Sequence, residues 1–513
     1  LIGPPDQDDF DAFLQVFPRA RQVGGELVGV PNPLKMLETK LGPSVLRDYF
    51  ISVGLETDYY VPVEFSPEVF DKDVAKYRKK NCVCPLIEMF HEKLVDYFSD
   101  VRDTCSPCFE PSKLISQIPG PSSSGFEAAH FGITKGAICD AYELHPGSSG
   151  LDDALRWILH NPQDTTYASI AAKDELRAAS KVYESKVRSF LVMSFRHYVG
   201  SLALYFDHHD VLSEKFRRER RFGNSTNVYT SYGADRYHLE LERVLGLLMD
   251  TVASRDAVKW DGTLLASLLE VCCHILWLMF LPKHRTYNNW VRHLYITRWL
   301  INTAYLYNGR LWFKERGMPS GAFHTLMINT IYHIAICLLE HDIFPLLVSL
   351  ILGDDRVSSG ELDVELERKL YEACGVEIEY VPGFAFLQCD HYVVNGYHVI
   401  VPSVDKVVAS LAWRSRCDFP GGMVEMESAY VRCCAMRNLL WPVPASCNVV
   451  EGAISYLLDR LVDGIPFSKT QTYLRVRNNY LTDLQLHALW FVDVRREGLC
   501  YPAALLQFLN EGF

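Results

Sequence analysis

Leu350-Ile351-Leu352-Gly353-Asp354-Asp355-Arg356-Val357 decides the reading of this chain. An apolar run stops at a glycine followed by two adjacent acids. On a hairpin the glycine permits a tight turn, and the turn sets both carboxylates at its tip. Adjacent carboxylates suit hard divalent cations, which take oxygen ligands. Taken alone, the triplet reads more readily as a solvated turn, so the decision rests on its surroundings.

Upstream, Asp256-Ala257-Val258-Lys259-Trp260-Asp261 places two acids five positions apart, just before a long apolar helix. Asp256 is a candidate to close a metal cage with Asp354 and Asp355; an ordinary surface turn is the competing reading. Further on, Gly317-Met318-Pro319-Ser320-Gly321 leads into Thr325 and Asn329, which stand one helical turn apart on one face. Their neighbours Leu326, Met327, Ile328 and Ile331 predict a buried helix, where polar groups need partners.

These residues, in this order, resemble the viral RNA-dependent RNA polymerases of the picornavirus-like group. The likeness rests on Asp-x4-Asp, then Gly-Met-Pro-Ser-Gly-x3-Thr-x3-Asn, then Gly-Asp-Asp. Lys173-Asp174-Glu175-Leu176-Arg177, followed by Lys186-Val187-Arg188, resembles the family's basic finger motif. Ser123-Ser124-Gly125-Phe126, with Thr134-Lys135-Gly136 after it, resembles the loop at the template entrance. Phe386-Leu387-Gln388-Cys389 stands where the primer-grip hairpin belongs, and Val404–Trp413 resembles the first thumb segment. The likeness spans about residues 120–415.

The resemblance implies RNA-templated RNA synthesis by a closed right hand of fingers, palm and thumb. It implies fingers with an N-terminal extension over 1–240, palm over 241–275 and 313–400, a fingers insertion over 276–312 and a thumb over 401–513. Asp256, Asp354 and Asp355 would hold two Mg²⁺ or Mn²⁺ ions, which stabilise the attacking and leaving oxygens of nucleotidyl transfer. Lys173, Arg177, Lys186 and Arg188 would meet the triphosphate, and Asp261, Ser320, Thr325 and Asn329 the rest of the NTP. Ser123, Ser124, Gly125, Gly321, Phe386, Leu387 and Gln388 would line the RNA path. Implied partners are an RNA template, primer or product RNA, NTPs, other viral replication proteins and a protein primer. The implied location is the host cytoplasm, at membrane-associated replication complexes. The family usually carries a lysine before the primer grip as proton donor to pyrophosphate. Cys374–Pro382 has none, and Lys369 is the nearest candidate. The primer grip often has a basic residue where Gln388 or Cys389 stands.

Composition agrees. With 49% hydrophobic and 22% charged residues in 513, a disordered chain is excluded. Net charge is -12, so any nucleic-acid site must be a local basic channel; Lys173–Arg221 supplies one, with eleven Lys and Arg against seven acids. Long helices interspersed with short strand pairs, including Phe386–Val394 paired with Tyr397–Val401 around Asn395-Gly396, predict an α+β architecture. Fifteen cysteines, an odd count, suit free thiols. Cys82, Cys84, Cys105 and Cys108 form two close pairs that raise the question of zinc. The basic run Phe216–Arg221 reads either as a track for RNA phosphates or as a solvated helix face. Leu264–Leu281 and Ile328–Leu352 are apolar, but Glu270 and Glu340 inside them favour buried core over membrane. The first residue is Leu, which fits a piece of a longer product. A reverse transcriptase would place a bulky aromatic where Asp261 stands. A non-catalytic scaffold would be expected to lack at least one of the three metal carboxylates.

Overall fold

The computed structural model describes residues 21–23, 26–28, 41–461, 481–482, 485–486 and 490, apart from gaps at 121, 126, 129–130, 133, 184–186, 235–239, 249–251, 308–309, 361–362 and 416–424. Its centre is a five-stranded sheet in the order Ile378–Pro382, Val252–Ala257, Asp355–Ser359, Val348–Leu352, Val228–Thr230. The middle pair is the hairpin expected from the sequence, with register from Val348↔Ser359 to Leu352↔Asp355. Two residues, Gly353 and Asp354, make its turn, and Gly353 has φ +60°. Two-residue hairpin loops need this left-handed conformation at their first central position, where glycine costs least.

Alternation along these strands sends side chains to two different cores. Leu350 and Val357 join Tyr229, Phe386 and Ile400 on one face. Ile351 faces the larger core, under the helices Ile87–Tyr97, Ala266–Leu278 and Thr325–His341. The last of these is buried continuously from Met327 to Glu340, as its nearly unbroken apolar sequence requires. The two apolar stretches therefore resolve into core elements. Among the described residues, no helix is long and apolar enough to cross a membrane.

A second sheet runs Arg310–Phe313, Ala304–Tyr307, Tyr167–Ala172, Ser189–Val192. The C-terminal helices Val404–Ala412, Glu425–Leu440 and Pro444–Leu461 build a separate cluster, shared with Leu46 and Phe50 from the start of the chain. That early segment bridges distant parts. Leu41–Pro43 pairs with Trp413–Ser415, and Tyr60–Pro62 pairs with Leu176–Ala178 of the basic stretch.

Two expectations change here. The Asn395-Gly396 hairpin is present, with φ +52° and +83° at the turn, but its first strand begins at Cys389 because 386–389 is itself a turn. The basic run Phe216–Arg221 divides between solvent and core, with Arg218 and Arg221 exposed and Phe216 and Arg220 buried. Within the helix His208–Phe222, Arg220 is fully buried, donating to the carbonyls of Thr230 (2.8 Å) and Tyr232 (3.0 Å) and pairing with Glu240. Arg218 pairs with Asp100, and Arg217 with Glu214. Unpaired buried charge is costly, so Arg220 is held by Glu240 and two carbonyls, while Arg218 and Arg221 stay on the solvated face.

Candidate active site

The Gly353-Asp354 turn projects two carboxylates beside the end of the strand Val252–Ala257. Arg356 pairs with Arg255 across that ladder, and the register continued by one residue sets Asp256 opposite Asp355. On the edge strand, Glu379 is paired with Asp256. Burial, then the charges of Asp354 and Asp256, push the Asp355 carboxyl up to about 7, against the pull of Arg188. Burial and Asp261 raise Asp354 as well. Crowded like charges favour protonation unless a cation joins them. Among the described residues, no three His, Cys, Asp or Glu side chains close around one point. The donor set still fits a hard divalent ion: it offers carboxylate oxygens only, each raising its neighbour's affinity for positive charge.

The loop before the long helix is set against Asp261. Ser320 Oγ donates to the Asp261 carboxylate, and Met318 N donates to the Asp261 carbonyl at 2.8 Å. Gly317, at φ +86°, has no room for a Cβ beside that carbonyl. Gly321 N donates to the Leu191 carbonyl at 3.1 Å, and a Cβ on Gly321 would run into the same oxygen. Beneath the loop, the fully buried Lys314 donates to the carbonyls of Leu300, Ile301 and Gly317. Its amine is driven down to about 7 by burial, with Asp261 acting the other way. Thr325 commits its hydroxyl to the loop, at the carbonyls of Pro319 (2.8 Å) and Ala322 (2.9 Å), rather than to Asn329. Asn329 is 5% exposed, and its Oδ1 has no donor among the described residues.

Cations face these acids from the basic stretch. Burial opposes the charge of Arg188, yet Glu175, Asp354, Asp261 and Asp256 together hold its pKa above the ordinary value. Arg177 lies beside Arg188 and Glu175, and Lys173 pairs with Glu175 at 3.0 Å. Lys186 lies outside the described residues. Lys181, which the sequence reading passed over, stands 3.2 Å from Asp256. Its signal was present: Lys173, Arg177 and Lys181 recur every four residues.

The family of viral RNA-dependent RNA polymerases matches residues 62–370, more than half of the chain and, apart from Glu379, all of the residues just placed. The chain belongs to this family. It is also 21% identical over 371 residues to a genome polyprotein of Ljunganvirus 1, covering 68% of this chain and 15% of that polyprotein. The chain thus spans only a small part of its curated relative's length.

The remaining candidates divide into exposed and buried groups. Phe386 is fully buried in the core, so it supports the turn at 386–389 instead of touching solvent. Leu387 and Gln388 form the turn itself, both left-handed at φ +55° and +56°. Such strain in non-glycine residues persists only where surrounding structure imposes it. Ser124 is buried and donates to the Gly132 carbonyl at 2.6 Å. Ser123 Oγ accepts from Gly125 N at 3.2 Å, and Gly125 is left-handed against the Met193 carbonyl. These three residues shape a braced loop. Lys369 lies exposed on the helix Val364–Ala373.

The four cysteines do not make a zinc site. Cys84 Sγ donates to the Ala373 carbonyl at 3.3 Å and lies against Cys374, whereas Cys105 sits beside Thr104 in a different part of the core. Cys82, Cys84, Cys105 and Cys108 are all free thiols.

Proposed function

We propose that the chain extends an RNA 3′-end on an RNA template by nucleotidyl transfer from NTPs, in a closed right-hand fold. The observation that carries this reading is the meeting, in one electrostatic neighbourhood, of Asp256, Asp354, Asp355 and Asp261 with Arg188. The five-stranded sheet serves as palm, the second sheet and its helices as fingers, and the C-terminal helices as thumb. The early segment that pairs with both Leu176–Ala178 and Trp413–Ser415 supports a closed hand.

Asp256, Asp354 and Asp355 would hold two Mg²⁺ or Mn²⁺ ions, which supply charge stabilisation to the attacking 3′-oxygen and the leaving pyrophosphate oxygen. Arg188, Arg177, Lys173 and Lys181 neutralise the triphosphate and orient it for in-line attack. Ser320 fixes the Asp261 carboxylate through its hydrogen bond, and Asn329 Oδ1 accepts from the ribose 2′-hydroxyl. Leu387 and Gln388 steady the primer strand from their strained turn. RNA template, primer and other viral replication proteins are the partners this reading requires, at replication membranes of the host cytoplasm.

The test is incorporation of labelled NTPs by the purified chain with Mg²⁺ or Mn²⁺, on RNA and DNA templates of one sequence. Template-length product on RNA, much reduced on DNA, is expected. No incorporation on RNA with any primer, under either metal, would overturn the reading.

A further inference from the structure

The Gly-Asp-Asp turn is tied down through its own backbone. Gly353 N donates to Thr330 Oγ1 at 3.1 Å, and the Gly353 carbonyl lies 2.9 Å from His333 Nδ1. Both side chains come from the helix Thr325–His341, three residues apart on one face, and each is 1% exposed. Behind His333 the chain of bonds continues. Nε2 lies 2.8 Å from the Tyr371 hydroxyl, which is 2.6 Å from Arg356 Nη1. Arg356 is fixed in turn by Glu340, Glu367 and Ser349, and Glu367 also accepts from Nε and Nη2 of Arg255, at 2.9 and 3.3 Å.

With a neutral imidazole at His333, every bond in this relay has one direction. A guanidinium only donates and a carbonyl oxygen only accepts. Tyr371 therefore accepts from Arg356 and donates to His333 Nε2. His333 then carries its proton on Nδ1 and donates it to the Gly353 carbonyl. Thr330 is equally constrained: its hydroxyl donates to the Leu326 carbonyl at 2.7 Å, which leaves its oxygen to accept from Gly353 N.

We propose that Thr330 and His333 are positioning residues for nucleotidyl transfer. By holding the N–H and the C=O of Gly353, they fix the one glycine through which the hairpin reaches Asp354. The same helix carries Asn329, so one rigid element sets the sugar-reading group and the carboxylate turn at a constant separation. The proposal rests on the reading of Asp354 and Asp355 as metal-holding carboxylates. Neither Thr330 nor His333 touches substrate; both act through Gly353.

The test uses His333→Phe, His333→Asn and His333→Gln in single-nucleotide addition, titrated with Mg²⁺, with Asp354→Asn alongside. Asn places an amide N–H near the position of Nδ1, and Gln places one near Nε2. His333→Phe should lower kcat by about ten- to a hundredfold, the scale of small misplacements at a reacting centre, with the NTP KM changed by about twofold at most. It should also raise the Mg²⁺ concentration for half-maximal rate. Asn should recover most of the loss and Gln little of it. Where His333→Phe fails to fold, Thr330→Val carries the same expectation, with Thr330→Ser as its rescue. Wild-type kcat and Mg²⁺ demand in His333→Phe or Thr330→Val, or equal losses in Asn and Gln, overturn the proposal. If Asp354→Asn is inactive in that case, the metal reading survives it. Substantial activity in Asp354→Asn overturns both.

Discussion

Replacing Asn329 by alanine tests sugar choice, and the structure sets the size of the effect. Asn329 is 5% exposed and its Oδ1 meets no donor among the described residues. A buried acceptor left without a donor costs about 1–3 kcal/mol. A ribose 2′-hydroxyl that donates to Oδ1 removes that cost, whereas a 2′-deoxyribose leaves it in place. The difference corresponds to about 5- to 150-fold in kcat/KM between ATP and 2′-dATP. Asn329→Ala should narrow the ratio by that factor, mainly through loss of ATP efficiency. The variant also deletes an unsatisfied buried atom, so its Tm should stay within about 2 °C of wild type. The assay is single-nucleotide addition of each triphosphate on one RNA template, with thermal unfolding in parallel. An active variant that keeps the wild-type ratio refutes the reasoning. A large drop in Tm would instead identify Asn329 as a structural brace.

Arg188→Ala removes the cation that faces Glu175, Asp354, Asp261 and Asp256. Loss of a charge-assisted bond to the triphosphate should lower kcat/KM by about ten- to a hundredfold for every NTP; unchanged values would reduce Arg188 to surface charge. Gly321→Ala drives a Cβ into the Leu191 carbonyl. Overpacking of this kind costs about 1–3 kcal/mol, and the displaced loop should slow incorporation; a variant with wild-type Tm and rate would show that the loop gives way freely. Glu127 is buried and its carboxyl is pushed from 4.5 up to about 7, chiefly by burial. A folded-state value raised above the unfolded one favours the protonated form. Its stability is full below pH ~4.5 and is lost as pH rises through about 7. Glutamine does not ionise, so the stability of wild type relative to Glu127→Gln should fall by about 3 kcal/mol across that window. Urea midpoints at pH 5 and pH 8 measure this, and a pH-independent difference contradicts it.

What the sequence made legible was local. The two-residue turn at Gly353-Asp354, the Asn395-Gly396 hairpin and the apolar helix around Asn329 each follow from neighbouring residues and a fixed period. What it concealed were partners far along the chain. Phe216–Arg221 looks basic and free because Asp100, Thr230 and Glu240 are not part of it. Arg255 and Glu367 are separated by 112 positions, and the relay that anchors Gly353 needs both Arg356 and Tyr371. The close spacing of Cys82 with Cys84 and of Cys105 with Cys108 suggested a shared ion, but the fold sends Cys84 to Cys374. Phe386 shows the same limit: the resemblance implied a place on the RNA path, while the fold takes its side chain into the core. Lys181 was readable from its four-residue spacing, yet only the fold brings it to Asp256.

The central claim is that Asp354 serves metal-assisted nucleotidyl transfer. Single-nucleotide addition on an RNA primer–template, comparing wild type with Asp354→Asn across a Mg²⁺ titration, tests it most directly. Loss of one carboxylate from the site should cost several kcal/mol of transition-state stabilisation, a fall of about a thousandfold or more in rate, with RNA affinity little changed. A rate within about tenfold of wild type at saturating Mg²⁺ would contradict the claim.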